Sequence, residues 1–426
     1  MNLSNAKTSP TIDGHIADRL LQAARDPSPV SGLTHTFYRY PARFSPPFVR
    51  AAIELFTKPG DVVLDPYLGG GTALVEALAL GRRGVGADIS SLATFVTQVK
   101  TTLLSHQELL LIRSWGSDVK ESINIHGPSP KWSDWTEECY QKHLRTKSIW
   151  RLRKAIEQVL ESAKTFNSAK LERFARCIVL RTAQWALDSR KRLPSVAEFR
   201  ERIVENLQDM ITGAAGLRLA AERAASGNAP LRPICLHRSA VGLDEDERVK
   251  NLAPPKLVLT SPPYPGIHVL YHRWQVDGRK ETPAPFWIAR KLDGSGASYY
   301  TMGDRKEQEL KTYYDTLAAA FQSIARLCDE RTTVLQMVAF ASPEWQLPRY
   351  LEVMQDAGFR ECQLANCIDA QDGRLWRAVP NRRWHADQKG ETSSSREVVL
   401  VHKLARPIKR LLPRSLTDSP HPRQFH

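Results

Sequence analysis

The sequence predicts an α/β fold: a doubly wound, mostly parallel sheet with an antiparallel edge strand and a helical insertion. Three observations lead to this prediction. Residues 60–90 have the pattern of a strand, a glycine-rich turn, a helix and a second strand, which is how such a sheet begins. Strands alternate with helices again after residue 230, and two strand patterns close the chain. Between these parts, residues 92–226 have almost wholly helical periodicity.

The elements are predicted from local patterns along the chain. Apolar runs bounded by turn residues indicate strands, and one-face apolar spacing indicates helices. A helix that begins near Pro46 is favoured because proline suits a first helical turn. In chain order the predictions are a helix over 16–26, a helix from Pro46, a strand over 62–64, a helix over 72–80, strands over 84–89, 232–237 and 257–260, a long loop from Pro265 to about Arg305, a helix over 306–328, a strand over 332–340, a helix over 344–357, and closing strands near 359–366 and 396–403.

These patterns divide the 426 residues into four parts. Residues 35–105 and 230–403 are predicted to form the sheet domain, interrupted by a helical insertion at residues 106–229. Residues 1–34 are an N-terminal extension with one short helix. Residues 404–426 form a basic C-terminal tail.

Composition favours a polyanionic partner and argues against a membrane. The net charge is +14, and contacts with a phosphate backbone are the usual reason for such a surplus, although a merely solubilising surface stays open. No apolar run approaches the roughly 20 residues of a membrane span, and the N-terminus lacks a signal-peptide pattern. The six cysteines have no C-x-x-C spacing, so no metal site is predicted. We expect a soluble, cytoplasmic protein.

The stretch LDPYLGGGT, residues 64–72, places three glycines between a strand and a helix. Glycines there let the backbone bend sharply and approach a ligand closely. The spacing is not G-x-G-x-x-G, and no Gly-Lys-Ser/Thr follows, so a ligand without a pyrophosphate is favoured. Asp88 ends the next strand, where an acid commonly holds ribose hydroxyls. Adenosine without phosphates points to S-adenosylmethionine, although the turn alone is also compatible with a structural role.

The stretch LVLTSPPY, residues 257–264, ends an apolar strand with two prolines and an aromatic residue. Prolines cannot donate to a sheet ladder, so the strand stops there. Open α/β sheets bind ligands at the carboxyl ends of their strands. Ser261 and Tyr264 are therefore predicted to be functional groups on a stiff turn, with a packed proline-rich turn as the alternative.

Together these motifs resemble those of the DNA amino-methyltransferases, which use S-adenosylmethionine to methylate the exocyclic nitrogen of cytosine or adenine. Their cofactor motif is similar to DPYLGGGT, and their catalytic motif (S/D/N)-P-P-(Y/F/W) is matched by residues 261–264. YPARFSPPFV, from residue 40, resembles the segment that wraps the methionine end of the cofactor. WRAVPNRRWH followed by REVVLVHK resembles their closing hairpin. The resemblance covers about 35–105 and 230–403 and leaves the insertion unmatched.

The resemblance implies a Rossmann-like class I methyltransferase fold and a set of site residues. The catalytic residues implied are Ser261, Pro262, Pro263 and Tyr264. The cofactor-binding residues are Asp65, Pro66, Tyr67, Gly69, Gly71, Thr72, Asp88, Tyr40 and Phe44. Weaker candidates for contacts with nucleic acid or for the base pocket are His272, Arg273, Arg279, Lys280, Trp376 and Trp384. The segment 268–287 could equally be a lid or a packed strap.

The chemistry explains why this catalytic motif needs no strong base. The lone pair of an aromatic amine is delocalised into the ring, so the amine is a poor nucleophile. Acceptors for the amine hydrogens, here the Ser261 hydroxyl and the Pro262 carbonyl, turn the lone pair toward the methyl group and stabilise the charge that develops. Tyr264 would stack on a base flipped out of the duplex, with Trp376 or Trp384 closing the other side.

In this family a serine in first position with a tyrosine last is typical of cytosine-N4 enzymes, whereas aspartate in first position is more often adenine-N6. The resemblance therefore implies sequence-specific cytosine-N4 methylation of double-stranded DNA, with a restriction endonuclease or defence-system partner. Two alternatives stay open: methylation of adenine-N6 or of an RNA amine on the same fold, and a non-catalytic DNA-binding protein.

The position of the insertion departs from the family's usual pattern. It precedes the third strand, whereas family members with this motif order carry target recognition between the third and fourth strands. The sequence therefore leaves open whether the insertion is a DNA-contacting subdomain or a brace for the fold.

Overall fold

The computed structural model describes residues 10–40, 44–128, 139–267, 273–294, 297–365, 372–378 and 396–405. Its strands are β1 (Thr11–Ile12), β2 (Val62–Asp65), β3 (Arg83–Asp88), β4 (Ile234–His237), β5 (Leu257–Thr260), β6 (Trp274–Val276), β7 (Lys280–Thr282), β8 (Thr333–Ala339), β9 (Phe359–Leu364), β10 (Leu375–Ala378) and β11 (Arg396–Leu404). Its helices are α1 (Gly14–Arg25), α2 (Pro46–Phe56), α3 (Thr72–Ala79), α4 (Ser91–Lys100), α5 (His106–Ser122), α6 (Trp150–Ala163), α7 (Ala169–Leu187), α8 (Val196–Ala224), α9 (Ala284–Ala289), α10 (Ala297–Tyr300), α11 (Lys311–Leu327) and α12 (Pro343–Asp356).

One sheet organises the fold, in the order β1-β9-β11-β8-β5-β2-β3-β4, with β10 also pairing with β11. The strands from β8 to β4 run parallel. β11 runs antiparallel to β8, β9 and β10. The strand order reverses between β2 and β5, which makes this the topological switch point of a doubly wound sheet. The predicted Rossmann-like, doubly wound fold is confirmed.

The central strands are apolar because the sheet is covered on both faces. Every residue of β2, β5 and β8 is buried, as expected for parallel strands between two helical layers. Val63, Leu257 and Leu259 pack in the same core as Phe48 of α2. Leu64 and Val258 point into the opposite core with α11 and α12. Because these strands run parallel, their carboxyl ends and the turns that follow them lie at one edge of the sheet.

The helical insertion, comprising α5 to α8, lies between α4 and β4 and has its own core. That core also contains α4, the segment 37–40 and the buried residues of β6 and α9. Leu171, Phe174 and Ile178, which recur at one-face spacing along α7, are buried there. The insertion therefore packs on elements from both parts of the predicted sheet domain, residues 35–105 and 230–403.

The prediction of a long loop from Pro265 to about Arg305 is wrong. This stretch contains the antiparallel hairpin β6–β7 and the short helices α9 and α10. Trp274 and Trp287 are nearly fully buried against the insertion. These elements owe their order to long-range burial, which leaves no periodic signal in so short a run of residues.

The start of one helix and the position of one strand in the sheet also differ from the prediction. The helix expected from residue 306 begins at Lys311, because Glu309 and Leu310 have left-handed backbones with φ of 54° and 50°. The antiparallel strand β11, expected at the edge, lies inside the sheet because β9 pairs with its outer side. The N-terminal strand β1 then extends the sheet by pairing with β9 in parallel.

The described helices include none that is long and apolar enough to cross a membrane. Within the same residues, no group of three or more His, Cys, Asp or Glu side chains is arranged to hold a metal ion.

Candidate active site

A cleft of about 1330 Å³ opens at the carboxyl ends of β2, β3 and β5. This is the switch point of the sheet, where open α/β folds place their ligands. Its walls include most of the glycine turn (residues 66–71) and the turn at residues 261–264, which we call the catalytic turn after the role predicted for it. Residues 38–40, 44–45, 273–275 and 299–302 also line the cleft. We refer to it as the switch-point cleft.

Most of the predicted site residues meet in this cleft. Those that line it are Tyr40, Phe44, Pro66, Tyr67, Gly69, Thr72, Asp88, Ser261, Pro262, Pro263, Tyr264 and Arg273. Asp65 and Gly71 do not line the cleft. Both support the turns that do.

The glycine turn is held from behind by α4. Gly71 has a left-handed backbone with φ of 74°, and a Cβ atom there would collide with Oγ1 of Thr97. The buried Lys100 donates from Nζ to the Gly70 carbonyl at 2.7 Å. Only glycine allows the backbone to approach Thr97 this closely, so the glycine turn is packed tightly against α4.

Asp88 joins the end of β3 to the glycine turn. Its Oδ2 accepts from the backbone N–H of Gly69 at 2.8 Å, and its Oδ1 accepts from that of Ser90 at 2.7 Å. Burial raises the pKa of Asp88 to about 6, against these two backbone hydrogen bonds, which lower it. The side chain is half-buried and faces the cleft as an acceptor.

Asp65 links the two turns beneath the cleft. Its Oδ1 accepts from the Thr260 hydroxyl at 2.8 Å and from the backbone N–H of Tyr67 at 3.2 Å. Thr260 immediately precedes the catalytic turn, so one carboxyl group ties that turn to the glycine turn. Burial raises the pKa of Asp65 to about 7.

The catalytic turn is fixed by hydrogen bonds at both ends. Tyr313 of α11 donates from Oη to the Pro263 carbonyl at 2.7 Å. The Ser261 hydroxyl donates to Oη of Tyr264 at 3.2 Å, and that Oη donates to Oε1 of Glu397 at 2.7 Å. Arg377 donates from Nε to Oε2 of the same carboxylate at 2.9 Å.

The insertion holds the opposite lip of the cleft. Gln184 of α7 accepts from the backbone N–H of Arg39 at 3.1 Å and donates to its carbonyl at 3.0 Å. Asp188 accepts from the backbone N–H of Gln275 at 3.1 Å. Nε1 of Trp274 donates to Oη of Tyr38 at 3.1 Å in the buried core. The end of α7 therefore fixes the two backbone segments that border the cleft.

The weaker candidates are dispersed. Arg273 lines the cleft and pairs with Asp293 at 2.9 Å. Arg279 and Lys280 are exposed on the β6–β7 hairpin, outside the cleft lining. Trp376 is also absent from that lining, and the Arg396 guanidinium lies 5.6 Å from its ring centre. His272 and Trp384 lie outside the described residues.

Several residues of the site were not predicted from the sequence. They are Thr260, Tyr313, Arg377, Glu397, Gln184 and Trp274. The only available signal was Glu397, an acidic residue at the start of the apolar strand 397–404. The others are brought to the cleft by pairing and packing between distant parts of the chain.

Comparison with known proteins supports the resemblance inferred from the motifs. The N6_N4_Mtase family model, described as DNA methylase, matches residues 19–95, which include the glycine turn and Asp88. The Type II methyltransferase M.MvaI of Kocuria varians is 35% identical over 108 residues, 23% of this chain and 24% of that protein. M.MjaII of Methanocaldococcus jannaschii is 31% identical over 75 residues, 18% of this chain and 14% of that protein.

The chain thus matches about a quarter or less of each relative's length. The family-model match and both relatives support an amino-methyltransferase of the N4/N6 family, as the motifs predicted.

Two solved structures are distantly similar. TrmN from Thermus thermophilus aligns with a TM-score of 0.31 and 10% identity, over 87% of this chain and 52% of that chain. The rRNA methyltransferase aviRa from Streptomyces viridochromogenes aligns with a TM-score of 0.33 and 12% identity, over 90% of this chain and 97% of that one. Likeness at this level adds nothing to the fold, which the strand order establishes by itself.

Proposed function

We propose that this protein transfers a methyl group from S-adenosylmethionine to the N4 amine of a cytosine flipped out of double-stranded DNA. One observation carries the proposal: the S-P-P-Y turn and the glycine turn with Asp88 open into the same cleft. The first offers acceptors for an amine, and the second offers a surface for a nucleoside without phosphates. Their meeting at a switch point is the arrangement that a two-substrate transfer needs.

The residues around the glycine turn fit S-adenosylmethionine. The Asp88 carboxylate suits the ribose hydroxyls, and Tyr40 and Phe44 line the same cleft. Gly71 would act indirectly, because its close packing against Thr97 shapes the turn. Bound there, S-adenosylmethionine would supply an electrophilic sulfonium methyl, which bonds to the amine nitrogen as its bond to sulfur breaks and one amine proton is lost to water. Pro66, Tyr67, Gly69 and Thr72 complete the proposed cofactor surface.

The catalytic turn would hold the amine. The Ser261 hydroxyl and the Pro262 carbonyl are the proposed acceptors for its two hydrogens. The Pro263 carbonyl accepts from Tyr313 at 2.7 Å and the Tyr264 carbonyl accepts from the N–H of Ile267 at 3.2 Å, so these two carbonyls are engaged within the protein. Two consecutive prolines fix the direction of these groups, so positioning and charge stabilisation can supply much of the rate. The ring of Tyr264 is the proposed stacking surface for the base.

A DNA substrate is supported by charge and by the relatives. The net charge of +14 favours a polyanion. The relatives are named Type II methyltransferases, which supports a place in restriction–modification with an endonuclease partner. The family model covers both N4 and N6 enzymes. The choice of cytosine therefore rests on serine in first position, and adenine-N6 is the alternative.

Product identification tests the proposal. Purified protein is incubated with unmethylated bacterial genomic DNA and S-adenosylmethionine, and the digested nucleosides are analysed by mass spectrometry. N4-methylcytosine is the expected product, and a Ser261→Ala preparation is the negative control. N6-methyladenine would refute the assignment to cytosine and keep the methyltransferase mechanism. If neither product forms, RNA offered in parallel decides between the remaining alternatives. Methylated RNA would indicate an RNA amine methyltransferase, and no methylation of either nucleic acid would indicate a DNA-binding protein without activity.

A further inference from the structure

We propose that Glu397 is a positioning residue that sets the direction of a hydrogen-bond chain through the catalytic turn. The chain runs from Arg377 through Glu397 and Tyr264 to Ser261. In this direction Ser261 presents only acceptor lone pairs to the cleft. The inference rests on the proposed function, because it concerns how the methyl-accepting amine is recognised.

The chain is anchored at its buried end by an ion pair. Arg377 of β10 and Glu397 of β11 are cross-strand neighbours in the antiparallel register. Nε of Arg377 lies 2.9 Å from Oε2 of Glu397, and each side chain is only 7% exposed. A carboxylate held in such a pair has acceptors and no proton to give. Glu397 can therefore only accept from its second neighbour, Tyr264.

The direction of the remaining bonds follows from proton counting. Tyr264 has one hydroxyl proton, and it is committed to Oε1 of Glu397 at 2.7 Å. At the 3.2 Å contact with Ser261, the tyrosine oxygen must then accept. The Ser261 proton consequently points into the protein, and its lone pairs remain for a group in the cleft.

This polarity selects a class of substrate atom. An acceptor-only hydroxyl bonds to the N–H of an exocyclic amine. Opposite a keto oxygen it leaves two acceptors facing each other without a proton, which is an unfavourable buried contact. The chain therefore favours amino bases over keto bases at this position, independently of the stacking that Tyr264 provides.

Glu397→Gln tests the chain with little change of shape. The glutamine amide can donate to Oη of Tyr264, which frees the tyrosine proton for Ser261 and turns the serine proton into the cleft. We expect kcat for methyl transfer to fall roughly 10- to 100-fold. The dissociation constants of S-adenosylmethionine and DNA should change little. The melting temperature should fall, because glutamine leaves the buried Arg377 without its counter-charge.

The matched control is Glu361→Gln. Glu361 pairs with Arg374 at 2.6 Å on the neighbouring strand and is partly buried, but it does not line the switch-point cleft. It should keep wild-type kcat. If Glu397→Gln kept full kcat, or lost cofactor binding together with activity, the positioning role would be refuted.

A double-mutant cycle with Tyr264→Phe separates this role from a general structural one. Phenylalanine keeps the ring and removes the hydroxyl that links Glu397 to Ser261. If Glu397 acts through that hydroxyl, adding Glu397→Gln to Tyr264→Phe should lower kcat by less than about 2-fold. If the fold-loss of kcat in the double variant equalled the product of the losses in the two single variants, the proposed hydrogen-bond chain would be refuted. An active wild type with an unaffected Glu397→Gln variant refutes this inference alone, whereas an inactive wild type refutes the proposed function and this inference with it.

Discussion

The sheet and the helical insertion both build the switch-point cleft, but they contribute in different ways. In the proposed mechanism the sheet supplies the chemistry, because its strand ends carry the glycine turn, Asp88 and the catalytic turn to one edge. The insertion supplies position: Gln184 bonds to both backbone groups of Arg39, and Asp188 bonds to the backbone of Gln275. Groups that do chemistry must be particular residue types at particular spacings, whereas groups that position a backbone can be supplied by many sequences.

The largest effect is expected at the glycine turn, where Gly71→Ala would test the sheet's contribution. The variant must accept a left-handed backbone and a collision of the new Cβ atom with Thr97. We expect affinity for S-adenosylmethionine, measured by calorimetry, to fall about 100-fold because the turn is displaced.

Gly60→Ala is the matched control for the glycine turn. Gly60 also has a positive φ, 89°, but a Cβ atom there would meet nothing within 4 Å. It carries the backbone strain without the collision, so its cofactor affinity should stay near wild type. Equal losses in the two variants would show that strain alone matters and that close packing against α4 does not.

A second pair of variants tests whether the insertion supports the lip. At Gly213 of α8, a Cβ atom would collide with the Leu33 carbonyl, in the segment that leads to Tyr38 and Tyr40. Gly213→Ala should lower the free energy of unfolding by about 1–3 kcal/mol and weaken cofactor binding as the lip moves.

Gly216→Ala lies one turn further along the same helix, where a Cβ atom would meet nothing within 4 Å. It should raise the free energy of unfolding by up to about 1 kcal/mol, because alanine favours helix over glycine. Denaturant unfolding and cofactor titration of both variants measure this. If the Gly213→Ala protein were destabilised but bound the cofactor like wild type, the insertion would stabilise the fold without positioning the cofactor site.

A further expected effect is the pH dependence of the free energy of unfolding that Asp65 introduces within the sheet half. Its pKa is raised from 3.8 to about 7 in the folded protein. The stability this group contributes is therefore full below its ordinary pKa and is lost as the pH rises through about 7. Asp65→Asn should remove this loss. Between pH 4 and pH 8 the free energy of unfolding of the variant should therefore rise relative to that of the wild type by roughly 4 kcal/mol, which is 1.36 kcal/mol for each of about three pKa units.

Asp356→Asn, at the exposed end of α12, is the control for Asp65 and should follow the wild-type pH profile. Parallel profiles for all three proteins would mean that Asp65 is ionised in the fold across this range.

The contrast between the sheet and the insertion also explains which elements could be predicted from the sequence. β2, the glycine turn, α3, β3 and the strand before Ser261 are encoded by local runs of residues, and all appear where their patterns place them. The hairpin β6–β7 and α9 were missed because Trp274 and Trp287 gain their order by burial against the insertion.

The Tyr264–Glu397 bond was not predictable for a related reason. It joins residues 133 positions apart, and it depends on the register of β11 against β8 and of β8 against β5. No local pattern reports a register, so the partner of a functional side chain stays hidden even when the side chain itself is found.

The central claim is that the catalytic turn, and not a base elsewhere in the cleft, performs methyl transfer. The direct measurement is transfer of labelled methyl from S-adenosylmethionine to DNA by wild type, Ser261→Ala and Tyr264→Ala, with cofactor affinity determined on the same preparations. We predict that both variants lose about 100-fold or more of the transfer rate and keep cofactor affinity near that of wild type. Methyl transfer at the wild-type rate by both variants would contradict the account and require a different active site.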